Sequence, residues 1–185
     1  MTMENKRLGL KDRPVAEGTA SPPTVYLIDG NAIIHRAYHA IRGLSNSKGL
    51  PTNAVFGFTR MLLKLIQERT PAFVAICFDA KGPTFRHQIF KDYKANRPPM
   101  PEDLVQQLPY IKAIVEGFNI PSIEVPGFEA DDLIGTLARS AQESGFDVVM
   151  VTGDKDFTQL VTERAVIWDP IKDKTIDVKT VLADC

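Results

Sequence analysis

The sequence predicts an α/β domain built on a mostly parallel central sheet with helices on both faces. Three observations carry this. Four short runs, residues 24–29, 72–79, 147–153 and 165–169, are rich in Val, Ile and Phe and apolar on both strand faces, the pattern of strands covered from two sides. The segments between them carry helical spacing, and strands alternating with helices form a parallel sheet. The chain has 185 residues, 44% of them hydrophobic and 24% charged, which suits one domain with a real core.

Taken in order, residues 1–23 show no hydrophobic periodicity and end in Ala-Ser-Pro-Pro. They read as a disordered tail ahead of a domain over 24–185. They hold no apolar centre for a secretory signal, and Glu4, Asp12 and Glu17 argue against a transit peptide. TVYLID (24–29) is the first strand, and His35 and His39 are four apart on the helix that follows. Residues 53–68 place Val55, Phe58, Met61, Leu62, Leu65 and Ile66 on one helical face, with Thr52 as the N-cap. AFVAICFD (72–79) is the second strand, and its Cys77 reads as a reduced core residue. Residues 104–118 and 132–141 are two more helices, and residues 121–125 a short strand. DVVMVTG and AVIWD complete the sheet. The two cysteines, Cys77 and Cys185, make no disulfide framework. No apolar run approaches the roughly 20 residues of a membrane span. A cytoplasmic setting is the expectation.

The net charge of −1 conceals an asymmetry. Residues 30–101 carry eleven Lys/Arg against three acids; residues 102–185 carry seven against sixteen. A basic half and an acidic half suggest a polyanion on one side and cations on the other. Chance segregation over a solvated surface stays open. The irregular stretch AKGPTFRHQIFKDYKANRPPMP (80–101) holds five basic residues and one acid. Connections of this length in compact domains are usually functional or disordered.

Acids mark the strand ends. Asp29 closes the first strand, Asp79 the second, and Asp154 and Asp156 follow the third in TGDKDF. Glu129, Asp131 and Asp132 open a helix in GFEADDLIG. The carboxyl ends of parallel strands share one edge, where ligands bind. Each acid alone could be a turn or cap residue. Together, close carboxylates raise one another's pKa, and divalent cations reverse that cost. Oxygen-only sites suit Mg²⁺ or Mn²⁺. Seven acids exceed the needs of one ion and favour two, which can activate a water and stabilise the leaving oxygen of a phosphodiester. No P-loop, G-x-G-x-x-G fingerprint, G-x-S-x-G elbow or zinc spacing competes.

YLIDGNAIIHRAYHA, FDAKGPTFRHQIFKDYKANRPPMPEDL, GFEADDLIGTLA and VVMVTGDKDFTQLV resemble the N-terminal 5′-3′ exonuclease domain of bacterial DNA polymerase I. That domain belongs to the flap endonuclease group, with a PIN-like fold. The resemblance covers residues 24–180, and the motifs stand in the family's order. It implies a Mg²⁺-dependent, structure-specific nuclease that removes RNA primers and displaced 5′ flaps in replication and repair. It implies a polymerase domain in the parent protein and a place at the bacterial nucleoid. Asp29, Asp79, Glu129, Asp131, Asp132, Asp154 and Asp156 match the family's metal-site acids. YKANR matches the base of an arch or clamp, here residues 81–101, through which a 5′ strand passes. Lys94 and Arg97 match its catalytic, phosphate-contacting cations, Tyr93 a stacking aromatic, and Arg36 a substrate-contacting arginine on the first helix. Lys94 and Arg97 are three apart, on one face if the segment is helical. Arg86 and Lys91 add field to the DNA-binding surface, and Phe85 and Phe90 read as packing.

The family continues into a further acidic segment and a helix-hairpin-helix module that grips duplex DNA. The present sequence is expected to stop before both, which bears on its second ion and its turnover. Asp169, Asp173 and Asp177 do not match that segment. Two other readings stay open: a PIN-type ribonuclease, and a nucleic-acid-binding fragment without turnover.

Overall fold

A computed structural model describes residues 21–183. The elements are β1 (Thr24–Asp29), α1 (Gly30–Ala40), α2 (Asn53–Arg69), β2 (Phe73–Cys77), α3 (Phe85–Ile89), α4 (Glu102–Val105), α5 (Leu108–Gly117), β3 (Ser122–Ile123), α6 (Ala130–Glu143), β4 (Asp147–Val151), a 3-10 helix (Lys155–Leu160), β5 (Ala165–Asp169), β6 (Lys174–Ile176) and α7 (Val178–Ala183). Residues 1–20 of the expected tail, and Cys185, lie outside the described residues.

Side chains that alternate along each strand build two cores. Ile28, Ile76, Val151 and Trp168 face one way, against Ile33 of α1, Phe58, Leu62 and Leu65 of α2, and Ile111 and Val115 of α5. Leu27, Cys77, Met150 and Ile167 face the other way, against Ala130, Ile134 and Ala138 of α6 and Phe157. Both strand faces are therefore buried, as the continuous apolar runs require. The strand order is β3-β2-β1-β4-β5-β6. Every neighbouring pair is parallel except β5 with β6. The chain builds outward from β1 on one side, then returns to place β4 on the other. The edge between β1 and β4 is thus a topological switch point, where open α/β sheets form a crevice. No described helix is long and apolar enough to cross a membrane.

Several elements differ from the sequence expectation. β2 stops at Cys77 and β4 at Val151, so Asp79 and Asp154 stand on loops just past their strands. The antiparallel β6 was unexpected; at three residues it is too short to show a period. The helix expected over 104–118 is two, α4 and α5. Pro109 lies in the first turn of α5, where its missing N–H costs nothing, whereas inside one long helix it would remove a bond.

The break frees Gln107 for another task. Thr52 occupies the N-cap position of α2 but makes no side-chain cap bond. Instead Gln107, fully buried, accepts from the N–H groups of Ala54 at 2.9 Å and Val55 at 3.2 Å. Its amide donates to Asn53 Oδ1 at 2.9 Å and to the Asp103 carbonyl at 3.0 Å. A glutamine 53 residues away caps the helix from inside the core. Gln107→Leu strands these groups without water. It should cost roughly 2–4 kcal/mol of unfolding free energy, read by urea titration.

Candidate metal and nucleic-acid site

The site forms where helix starts meet strand ends. Asp29 is the last residue of β1 and the N-cap of α1. Its Oδ1 accepts from the Ala32 N–H at 3.0 Å and its Oδ2 from the Thr152 hydroxyl at 3.1 Å. It is only 6% exposed. Burial, reinforced by the Asp79 and Asp131 charges, pushes its pKa up to about 6, against the pull of those two hydrogen bonds. Gly30 makes this position possible, because a Cβ there would collide with the Phe78 ring and the Cys77 carbonyl.

Asp79 reaches across to α6. Its Oδ1 accepts from the Ala130 N–H at 2.7 Å, and its Oδ2 from the Asn31 amide at 3.0 Å. The Asn31 side-chain oxygen accepts the Asp79 N–H at 3.1 Å. Asp131, in the first turn of α6, has its pKa raised, first by burial and then by the Glu129 charge. Asp154 accepts from the Asp156 N–H at 3.0 Å and caps the 3-10 helix. Asp131, Asp132 and Asp156 line one cleft of about 340 Å³ between α6 and that helix, with Arg86 at its side.

The three acids of GFEADDLIG separate. Glu129 lies before the helix, with extended backbone, as its N-cap. That lets it share a side with Asp132, whose Oδ2 accepts the Glu129 N–H at 3.1 Å. Both turn toward the basic connection, while the charge of Asp131 helps raise the Asp29 pKa. Arg86 donates to Asp132 through two parallel bonds of 2.7 Å each. That fork holds the Asp132 pKa below its usual value. Lys94 Nζ stands 2.8 Å from Glu129 Oε1, and the Tyr93 hydroxyl donates to Glu129 Oε2 at 3.1 Å. Burial alone would lower the Lys94 pKa; its bonds to Glu129 and Tyr93 raise it.

The remaining predicted residues are spread around this centre. Arg36, on α1, lies 3.0 Å from the buried Asp169 and fills the space over Gly153. Arg97 is exposed and, among the described residues, makes no ion pair. Lys94 and Arg97 do not share a helical face. Residues 91–97 run as successive turns, and Lys94 has φ of +58°, the left-handed region. Phe85 packs on Phe128, but Phe90 is 60% exposed, against its packing reading. Its backbone closes the turn after α3 and aims the ring outward.

Sequence reasoning passed over Asn31, Thr152 and Asp169. The first two are uncharged and orient Asp79 and Asp29. They sit inside DGN and TGD, beside the acids that drew attention. Asp169 closes β5 on the same edge, and its pairing with Arg36 has no signature in the sequence.

Among the described residues, no three of these side chains converge as ligands of one ion. Glu129 and Asp132 are bound to cations instead. The donor set nevertheless fits a hard divalent cation: all oxygen, on one edge, with Asp29 buried at an electrostatic cost that a cation would relieve.

A mostly parallel sheet in this order, with helices on both faces, is a PIN-like α/β fold. The fold is similar to that of T5 5′-exonuclease solved with divalent zinc ions, with a TM-score of 0.68 and 19% identity, covering 86% of this chain and 60% of that one. The chain belongs to the family of the 5′-3′ exonuclease N-terminal resolvase-like domain, whose family model matches residues 24–185. It is 42% identical over 159 residues to the 5′-3′ exonuclease of Aquifex aeolicus, covering 86% of this chain and 55% of that protein. It is 44% identical over 141 residues to DNA polymerase I of Bacillus subtilis, covering 76% of this chain and 16% of that protein. The chain thus spans about half or less of the length of these relatives.

Proposed function

We propose that the domain is the catalytic half of a divalent-metal-dependent 5′ nuclease, hydrolysing phosphodiesters at 5′ flaps and nicks of DNA and at RNA primer–DNA hybrids. The observation that carries this is the meeting of an oxygen-only acid edge with a basic connection, on the fold of a family whose members include 5′-3′ exonucleases. Asp29, Asp79, Glu129, Asp131 and Asp132 would serve one Mg²⁺ or Mn²⁺, and Asp154 and Asp156 a second. When bound, the two ions supply an activated water and a counter-charge for the leaving oxygen. The chain's own residues do the rest. Thr152 and Asn31 fix the orientation of the Asp29 and Asp79 carboxylates. Lys94 and Arg97 present positive charge to the phosphate being cut, where charge grows during attack. Arg36, paired with Asp169, would contact the strand at the far end of the same edge.

This reading places the protein with bacterial chromosomal DNA in the cytoplasm, with a polymerase domain as a partner in a longer chain, as in the polymerase I relatives. The test is cleavage of a 5′-labelled flap duplex with Mg²⁺ or Mn²⁺. It is run on this chain and on a chimera continued with the remaining region of the Aquifex aeolicus exonuclease. Metal-dependent release of short 5′ products is expected from the chimera. Cleavage of single-stranded RNA in preference to the flap, or binding with no cleavage by either protein, would overturn the proposal.

A further inference from the structure

We propose that Arg86 and Lys94 are internal counterions of the acid edge, holding Glu129 and Asp132 until divalent cations replace them as the site loads. The inference rests on the metal-nuclease reading above and adds a step to it. Five of the seven acids fall into two sets by what they touch. Among the described residues, Asp29, Asp79 and Asp154 are held only by neutral donors: backbone N–H groups, the Thr152 hydroxyl and the Asn31 amide. Such contacts orient a carboxylate and leave its charge available to a cation. Glu129 and Asp132 are different. Both oxygens of Asp132 take the Arg86 fork, and both oxygens of Glu129 are engaged, by Lys94 on one and by Tyr93 with Arg86 at 3.4 Å on the other. Glu129 is only 5% exposed, so it cannot be left bare. Removing one partner of a buried pair is costly, whereas exchanging one cation for another keeps the carboxylate neutralised.

The basic segment is built to let go. Both cations come from one connection. Beyond the Phe85 N–H, which donates to the Gly127 carbonyl, backbone bonds from His87 to Arg97 are local. Among the described residues, the side-chain bonds of residues 90–97 to the body of the domain run only to Glu129. Ile89 and Phe90 are 80% and 60% exposed, so moving them uncovers little buried apolar surface. Lys94 itself holds a left-handed backbone, which costs a non-glycine residue free energy. Release from Glu129 frees its ammonium for a phosphate. The same side chain thus serves as placeholder before loading and as substrate contact after it.

The test uses Mn²⁺ alone. Calorimetric titration compares wild type, Arg86→Leu and Lys94→Gln, with thermal midpoints in EDTA and amide hydrogen exchange of wild type with and without Mn²⁺. Both variants should bind Mn²⁺ roughly tenfold more tightly, because a competing counterion is gone. Both should melt lower than wild type in EDTA and approach it at saturating Mn²⁺. In wild type, exchange across residues 90–97 should quicken when Mn²⁺ saturates the site. Unchanged or weaker Mn²⁺ binding in both variants would overturn the inference, as would exchange in this segment that Mn²⁺ leaves unaltered. If Arg86→Leu does not fold, Lys94→Gln and the wild-type exchange decide. Wild type that binds no Mn²⁺ overturns both this inference and the metal-nuclease reading. Wild type that binds it while the variants bind no tighter overturns the inference alone.

Discussion

Asp29→Asn is expected to cut cleavage sharply and, in the same protein, to stabilise the metal-free fold above pH 6. Burial raises the Asp29 pKa to about 6 from 3.8. Its neutral form therefore favours the folded state. That contribution is complete below about pH 4 and is lost as pH rises through 6. A shift of this size corresponds to about 3 kcal/mol at full burial, and Asp29 is 6% exposed. Asparagine keeps an oxygen for the Ala32 N–H and offers an amide to Thr152, but carries no charge to desolvate. Urea unfolding in EDTA should show the variant ahead of wild type by roughly 1–3 kcal/mol at pH 8. The gap should close toward pH 4. Cleavage by the chimera should fall by at least about 10²-fold. A variant less stable than wild type at pH 8, or one that still cleaves, would contradict the role given to Asp29.

Lys94→Ala should lower turnover on a flap substrate by roughly 10²–10³-fold at saturating metal. Arg97→Ala should act differently. Its exposed guanidinium meets a phosphate without an internal partner to release. Its loss should weaken flap binding and reduce the slope of log affinity against log salt by about one, with a smaller effect on turnover. Fluorescence anisotropy of a labelled flap at several salt concentrations reads the slope, and single-turnover cleavage reads the rate. Equal losses from the two substitutions in both measurements would merge roles that the structure separates.

Much of this domain was legible in the residues. The four apolar runs became β1, β2, β4 and β5 because strands buried on both faces have little choice of composition. The faint strand at 121–125 proved real but only two residues long, paired with Ile76 and Cys77. The helix face of Phe58, Leu62 and Leu65 lies in the core as its spacing required. What went unread was long-range and polar. Gln107 as the cap of α2, Asn31 against Asp79 and Thr152 against Asp29 join residues 53, 48 and 123 positions apart. Spacing says nothing about such pairs.

The sequence by itself determined four of the strands, the helices that cover both their faces, and the acids set at strand ends and at the start of one helix. Those follow from periodicity and from acids placed at strand ends, which are local properties. Only the tertiary structure decided which acids stand among neutral dipoles and which are held by Arg86 and Lys94. That depends on where a connection between β2 and α4 folds back. Its path is governed by a few charge-assisted hydrogen bonds to Glu129 and Asp132, residues some 35 to 46 positions away.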